Sequence, residues 1–339
     1  MSWKKRQTLG EQIVADTFDV LAPPAAWVLN QQDGFTWWPG ELGQRIWTDE
    51  GLFNNSRTYY RLHAEVDLVR AGGHKANLDS LLETEMNDGV FSCLLYDKRT
   101  DTYRLHSSVY AEAEIAHWIN KVFQAAAKIQ ITTAYRLVDQ ITQKVPVPRA
   151  VSTHPTGGVR EKRDDMAIEA IGPFINEGHL PSKWLNVDEW RDVDWAMERQ
   201  AMAWQKSDRT ASYSKFYWGA SPDQSIELFI TATEPHPVLR NGLEFTLKIP
   251  LKMSSKHIAY MALELNEHER TSWLKTHMLG TWCDHGGSLA FRLFVPNSLY
   301  QEGLLHELSV TMAGRASWVN EFFLQKKASA EAAKSANAQ

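Results

Sequence analysis

Tyr60-Arg61-Leu62-His63-Ala64-Glu65-Val66-Asp67-Leu68-Val69 is the stretch on which the fold turns. Side chains of an extended chain point alternately to opposite faces, so Leu62, Ala64, Val66 and Leu68 share one face and Arg61, His63, Glu65 and Asp67 the other. That pattern describes a half-buried antiparallel strand. It returns far downstream, where Leu243, Phe245, Leu247 and Ile249 alternate with Glu244, Thr246 and Lys248.

Reading outward from the first strand, Thr8 and Glu11 have capping-box spacing ahead of Leu9, Ile13, Val14 and Phe18, and Pro23-Pro24 stops that helix. Strand-like runs at Phe35–Pro39 and Leu42–Thr48 follow. Beyond Gly72-Gly73 the pattern predicts a helix near Ala76–Met86, strands Val90–Tyr96 and Tyr103–Tyr110, and a helical stripe through Glu112–Ile141 that is one long helix or two. Around the second strand the order repeats. A helix near Asp188–Trp204 precedes runs at Lys215–Gly219, Ile226–Thr233 and Leu243–Ile249. A helix over Ser255–Arg270, two strands at Leu279–Cys283 and Leu289–Phe294, and a closing helix opened by a Ser298/Gln301 capping box complete it.

The expectation is an α+β chain with two tandem copies of a helix, three-strand, helix, two-strand, helix unit, its antiparallel sheets packed on helices. Leu62 pairs with Leu243 at one offset and Cys93 with Cys283 at a larger one, the difference falling at a longer middle helix in the second copy. Residues 1–144 form the first domain. Residues 145–187 form a Pro/Gly linker with a helix near Glu161–Phe174, residues 188–325 the second domain, and residues 326–339 a tail with no apolar stripe, expected to be disordered.

The length of 339 residues fits two domains, and 43% apolar residues with 14 Trp promise well-anchored cores. A net charge of −5 with no aromatic-interleaved basic run excludes an obvious nucleic-acid footprint. Two cysteines are too few for a disulfide framework or a thiolate zinc site. No apolar region follows the basic N-terminus before Glu11, and no run approaches the roughly 18–20 apolar residues of a membrane helix. The expectation is a soluble, cytoplasmic protein.

This order of elements resembles the type III secretion chaperone-like fold, which includes the YbjN family, over residues 8–141 and again over about 188–325. The resemblance implies sheets packed on helices that hold an extended segment of a client protein. The chain departs from such chaperones in being long, mildly acidic and Trp-rich.

Signatures of phosphate loops, dinucleotide folds, redox dithiols and nucleophile elbows are absent. His306-Glu307 opens like a metalloprotease helix, but Val310 stands where the second His is needed. Cys283-Asp284-His285 next to Gly286-Gly287 reads as a hairpin turn before it reads as an activated thiol, and Cys93 as a small buried residue. His63, Glu65 and Asp67 make a ligand or ion face, or a solvated ion-paired one. They lie about 6.5–7 Å apart along the strand, too far to close on one ion unaided.

The aromatic run at Trp37, Trp38, Arg45 and Trp47 puts consecutive rings on opposite faces, one in the core and one partly exposed for a partner; Tyr217 and Trp218 hold the matching strand of the second copy. No catalytic residue, metal or cofactor is assigned. The sequence favours a non-enzymatic interaction module of chaperone-like or adaptor type, bound to another protein or peptide, with neither nucleic acid nor membrane as partner, and leaves room for a homo-oligomer. The alternative is a hydrolase or small-molecule binding protein with its site between the copies. A structural subunit with covered sheets is a third reading.

Overall fold

The computed structural model describes residues 8–54, 57–75, 78–79, 90–161, 166–219, 224–251, 253–271 and 277–337. Helix α1 (Leu9–Leu21) carries the expected capping box, with the Thr8 hydroxyl accepting from the Glu11 amide and the Glu11 carboxylate accepting from the Thr8 amide. It ends at Ala22, whose φ of 44° turns the chain before the two prolines.

The first sheet has the order β1 (Val28–Asn30), β2 (Gly34–Trp37), β3 (Gln44–Thr48), β5 (Arg57–Arg70), β7 (Thr102–Ala111), β6 (Cys93–Asp97), all neighbours antiparallel, and β4 (Leu52–Asn54) folds back on the start of β5. Gly34 is required where β2 meets β3, since a Cβ there would stand 2.0 Å from the Ile46 carbonyl oxygen. The apolar side of β5 is buried, and α2 (Ala116–Lys144) packs against β5 and β7 as a single 29-residue helix. Each fully buried Leu or Val on that face contributes about 1.5–3 kcal/mol.

The second sheet has the order β8 (Ala203–Gln205), β9 (Ala211–Tyr217), β10 (Ser225–Thr231), β11 (Gly242–Lys248), β13 (Ser288–Pro296), β12 (Thr281–His285). Strand for strand this is the order of the first sheet without β4. α4 (Trp190–Gln200) and α6 (Leu304–Asn337) pack together beside this sheet, as α1 and α2 do beside the first. The duplicated α+β unit is therefore real at the level of topology. Each copy also gains a three-residue edge strand, β1 or β8, that the sequence pattern does not predict.

Several expectations are corrected. With Leu62 set on Leu243, the ladders put Thr281 rather than Cys283 in the place of Cys93, because Cys93 pairs with His106 beside Glu65 whereas Thr281 pairs with Arg292 beside Thr246. α3 (Met166–Gly178) runs past the end expected at Phe174, and residues 162–165, near its expected start, lie outside the described residues. Ser298 does not cap the closing helix: a 3-10 turn spans Asn297–Leu299, the helix opens after Gly303, and the Glu189 carboxylate accepts from the Leu305 amide at 3.2 Å. α6 runs on to Asn337, through the stretch from Lys326 expected to be disordered. Ala, Glu and Lys are strong helix formers, and an existing helix elongates without a new nucleus. Most of the helix expected at Ala76–Met86 lies outside the described residues.

The linker is docked along the first sheet. Arg70 donates to the Pro148 carbonyl and Ala150 to the Leu68 carbonyl, so the linker takes the place beside β5 that β3 has left. The copies meet asymmetrically. α5 (Ser255–Thr271) of the second copy lies against β6, and Asn266 reaches from it to the Leu94 carbonyl at 3.1 Å. Met278 pairs with Ser108 through two backbone bonds of 2.8 and 3.1 Å, extending the first sheet beyond the end of β6.

Candidate functional site

On the outward face of the first sheet, β5 supplies His63, Glu65 and Asp67, β7 supplies Arg104 and His106, and β3 supplies Arg45 and Trp47, all placed by strand alternation. Arg104 holds three carboxylates at once: Glu65 at 2.9 Å, Asp67 at 3.1 Å and Asp97 at 3.2 Å. His63 contacts Asp49 at 3.0 Å and the His106 ring at 3.5 Å, and His106 stands 3.4 Å from Glu65. Trp47 stacks on His63 with centroids 4.6 Å apart, and Arg45 lies over Trp47.

Burial pushes the His106 imidazole down to about 4, against the pull of Glu65, and lowers His63 against the pull of Asp49. Burial would raise Glu65, but His106 and Arg104 outweigh it and hold the carboxyl below its usual range. Burial keeps Asp67 raised despite Arg104. Among the described residues no group of three or more His, Cys, Asp and Glu is arranged to hold a metal ion. This face is an ion-paired surface, partly covered by the second copy.

Cys93, His106 and Glu65 lie in one row across three strands, an order that invites comparison with a thiol triad. The chemistry fails there. Cys93 is fully buried, burial pushes its thiol well above the ordinary value, and its Sγ sits 3.8 Å from the Met278 sulfur, so no thiolate is poised to attack. Cys283 is also buried, and Gly286 and Gly287, with φ of 61° and 78°, close the hairpin after His285.

The second sheet's outward face is built from the equivalent strands and is open. A cavity of about 750 Å³ lies over it, lined by residues that include Tyr213, Phe229, Thr246, Lys248, His285 and Arg292. Tyr213 and Phe229 pair their rings at 4.8 Å on the floor, and the Tyr213 hydroxyl donates to Glu227 at 2.8 Å. Lys215 stands 5.8 Å from the Tyr213 ring and Lys248 5.4 Å from the Phe229 ring. Arg292 is tied to Glu244. Burial lowers His285, and the positive charges of Arg292 and Lys248 lower it further.

The aromatic residues singled out in the sequence do not gather into one groove. Trp37 is 8% exposed and donates to Gln44 at 2.8 Å in the core; Trp38 is 4% exposed and donates to Ser152 of the linker at 3.0 Å, with the His154 ring packed edge-on against it. Neither presents a ring to a partner, because β2 ends at Trp37 and the docked linker covers Trp38. Trp47 is half-buried against His63. Tyr217 is 66% exposed, whereas Trp218 packs on Phe323 at 5.1 Å. Sequence reading missed His106, Tyr213, Phe229, Lys248, His285 and Arg292 as a site. Their signal was present as polar or aromatic residues on the outward side of strands, but only the register shows which of them meet.

Comparison with protein-family models, with curated proteins and with solved structures finds no match for this chain. Among the described residues no helix is long and apolar enough to cross a membrane.

Proposed function

We propose that the protein is a non-enzymatic, cytoplasmic, tandem chaperone-like module that holds an extended segment of another polypeptide on the outward face of its second sheet. One observation carries this reading: the first sheet already grips polypeptide, with a helix against its face and a bridged residue at its strand edge. The strand edge at Ser108 pairs with Met278, and α5 covers β6, so the unit uses its sheet edge and face to grip chain that follows it in sequence. The second sheet has the same strand order, and its face is open. Strand edges and alternate side-chain pockets are the general means of holding extended peptides. The resemblance to the type III secretion chaperone-like fold and the presence of only two cysteines, both buried, fit this role and a reducing compartment.

The test is titration of the full chain into a panel of fluorescein-labelled decapeptides of alternating polar and β-branched residues. The reading expects saturable binding that weakens at least tenfold in Tyr213→Ala or Phe229→Ala, with circular dichroism showing both variants folded. Peptides that fail to bind, or that bind these variants as well as the parent, refute it. The cavity volume of about 750 Å³ also lies in the range of small-molecule sites, roughly 300–1,000 Å³, and favours a small-molecule binding protein as the second reading. That site would lie on the second sheet rather than between the copies.

A further inference from the structure

The open face of the second sheet carries both signs of charge side by side. Lys206, Lys248 and Arg292 line its cavity together with Asp208, Glu234 and Glu244. Glu227 stands across the ladder from both Lys215 and Lys248, so these lysines do not make a field of one sign. A ligand charged only one way meets attraction and repulsion together here, and gains little from either.

Some of the lining groups are already answered within the protein. The Asp208 carboxylate accepts from the Thr210 amide and hydroxyl and from the Ala211 amide, while Arg292 and Thr246 both donate to Glu244. Four others are not. Among the described residues the side chains of Gln205, Lys206, Glu234 and Lys248 make no hydrogen bond or ion pair. The two lysines can only donate, the Glu234 carboxylate can only accept, and Gln205 does both. They flank an aromatic floor: Gln205 pairs across the ladder with Tyr213, and the Lys248 ammonium stands 5.4 Å from the ring of Phe229, whose neighbour is the Tyr213 ring at 4.8 Å. Both rings are half-buried.

The complement of such a surface is neutral, has groups that both donate and accept, and has an apolar face. A hydroxyl donates one hydrogen bond and accepts two, so a set of them serves ammonium, carboxamide and carboxylate alike. The C–H bonds on the face of a pyranose ring carry slight positive charge and suit the negative face of an aromatic ring. We propose that the cavity on the second sheet is a carbohydrate site, in which a neutral sugar lies on the Tyr213–Phe229 floor with its hydroxyls answering Gln205, Lys206, Glu234 and Lys248. This rests on the small-molecule reading of that cavity and names its ligand class. Lys206 and Glu234 are exposed, so water competes for each of these hydrogen bonds and binding is weak.

Saturation-transfer NMR on the full chain detects weak ligands and reports which of their protons touch the protein. The probes are glucose, galactose, maltose, cellobiose and N-acetylglucosamine, with citrate, putrescine, glutamate and indole as charged and apolar controls. The parent chain is compared with Phe229→Ala, Glu234→Leu and Lys248→Met, each checked by circular dichroism. The site predicts saturable binding of at least one sugar, with the strongest transfer to the protons of one ring face. Affinity should fall at least tenfold in Phe229→Ala and several-fold in each of the other two variants. If no sugar binds but a control does so in a Phe229-dependent way, the carbohydrate site is overturned while the small-molecule reading stands. If no compound binds, both fall. Sugar binding that ignores all three variants overturns the site, and so do labelled decapeptides that bind and that no sugar displaces, which leaves the cavity to polypeptide.

Discussion

Acidification from pH 7 to pH 5 should cost this fold several kcal/mol before ordinary carboxylates titrate. His106 and His236 are both buried and both pushed by burial from 6.5 down to about 4, His106 facing Glu65, His63 and Arg270, and His236 facing Arg292, Glu244 and Arg136. The unfolded imidazole takes its proton as pH falls through 6.5, while the folded one refuses it until about pH 4. Stability is therefore fully present above 6.5 and is lost as pH falls towards 4. At pH 5 this amounts to about 2 kcal/mol for each ring, and at full separation to about 3 kcal/mol each. The sum at pH 5, about 4 kcal/mol, is a large part of the 5–15 kcal/mol typical of a folded protein. His63, lowered in the same direction, adds to it. Urea unfolding at steps between pH 7.5 and 5 measures the loss. His236→Asn isolates one ring: an Asn side chain can accept the Val238 and Leu239 amides now held by the His236 Nδ1, yet cannot titrate. Its curve should be flatter by about 2 kcal/mol over this range. A parent stability constant from pH 7 to 5, or an unchanged slope in His236→Asn, refutes the reasoning.

Glu269 and Arg315 form a fully buried ion pair, and Glu269 also accepts from the Trp282 indole at 3.0 Å; Glu269→Gln leaves Arg315 uncompensated and should cost about 3–5 kcal/mol in urea unfolding, while the double change Glu269→Leu with Arg315→Met costs less. Trp37→Ala removes a core ring and strands Gln44, so a loss of about 3–5 kcal/mol in thermal or urea unfolding is expected. Met278→Pro removes the amide that donates to Ser108, and hydrogen exchange at the Ser108 and Tyr110 amides should speed up while exchange within β10 and β11 stays as it was.

The strands with long alternation were readable because period-two burial is written in the residues themselves: Leu62 to Leu68 and Leu243 to Ile249 both lie where the pattern puts them. The edge strands at Val28–Asn30 and Ala203–Gln205 were not, since three residues are too few to show a period. Trp38 illustrates a different limit. Alternation separates it correctly from Trp37, but what covers it is Ser152, 114 residues away, and only the docked linker brings the two together. His106 stood on the polar side of its strand in plain view, yet its partners Glu65 and His63 depend on a register that the sequence leaves open.

The contact between the copies is heterologous: a sheet face and edge on one side, a helix and the start of a hairpin on the other. A contact of that kind leaves one face unmatched, and repeated between molecules it would run on into open chains. The charge pattern argues against such chains. At the first sheet, Arg270 of the second copy's α5 lies close enough to Glu65 for each to shift the other's proton affinity favourably. On the second sheet the same approach would bring the Arg270 of another molecule onto Thr246, which offers no carboxylate, with Lys248 beside it and Glu244 already held by Arg292. The replacement of Glu65 by Thr246 and of Asp67 by Lys248 in the second copy thus works against the protein docking on itself. Sedimentation should find a monomer at concentrations where a chain-forming contact would show. Lys248→Asp combined with Arg292→His restores the first copy's residues at these two places, and should shift the protein towards concentration-dependent assembly. A parent that already assembles at moderate salt, with no change in the double variant, would show that these charges do not guard the open face.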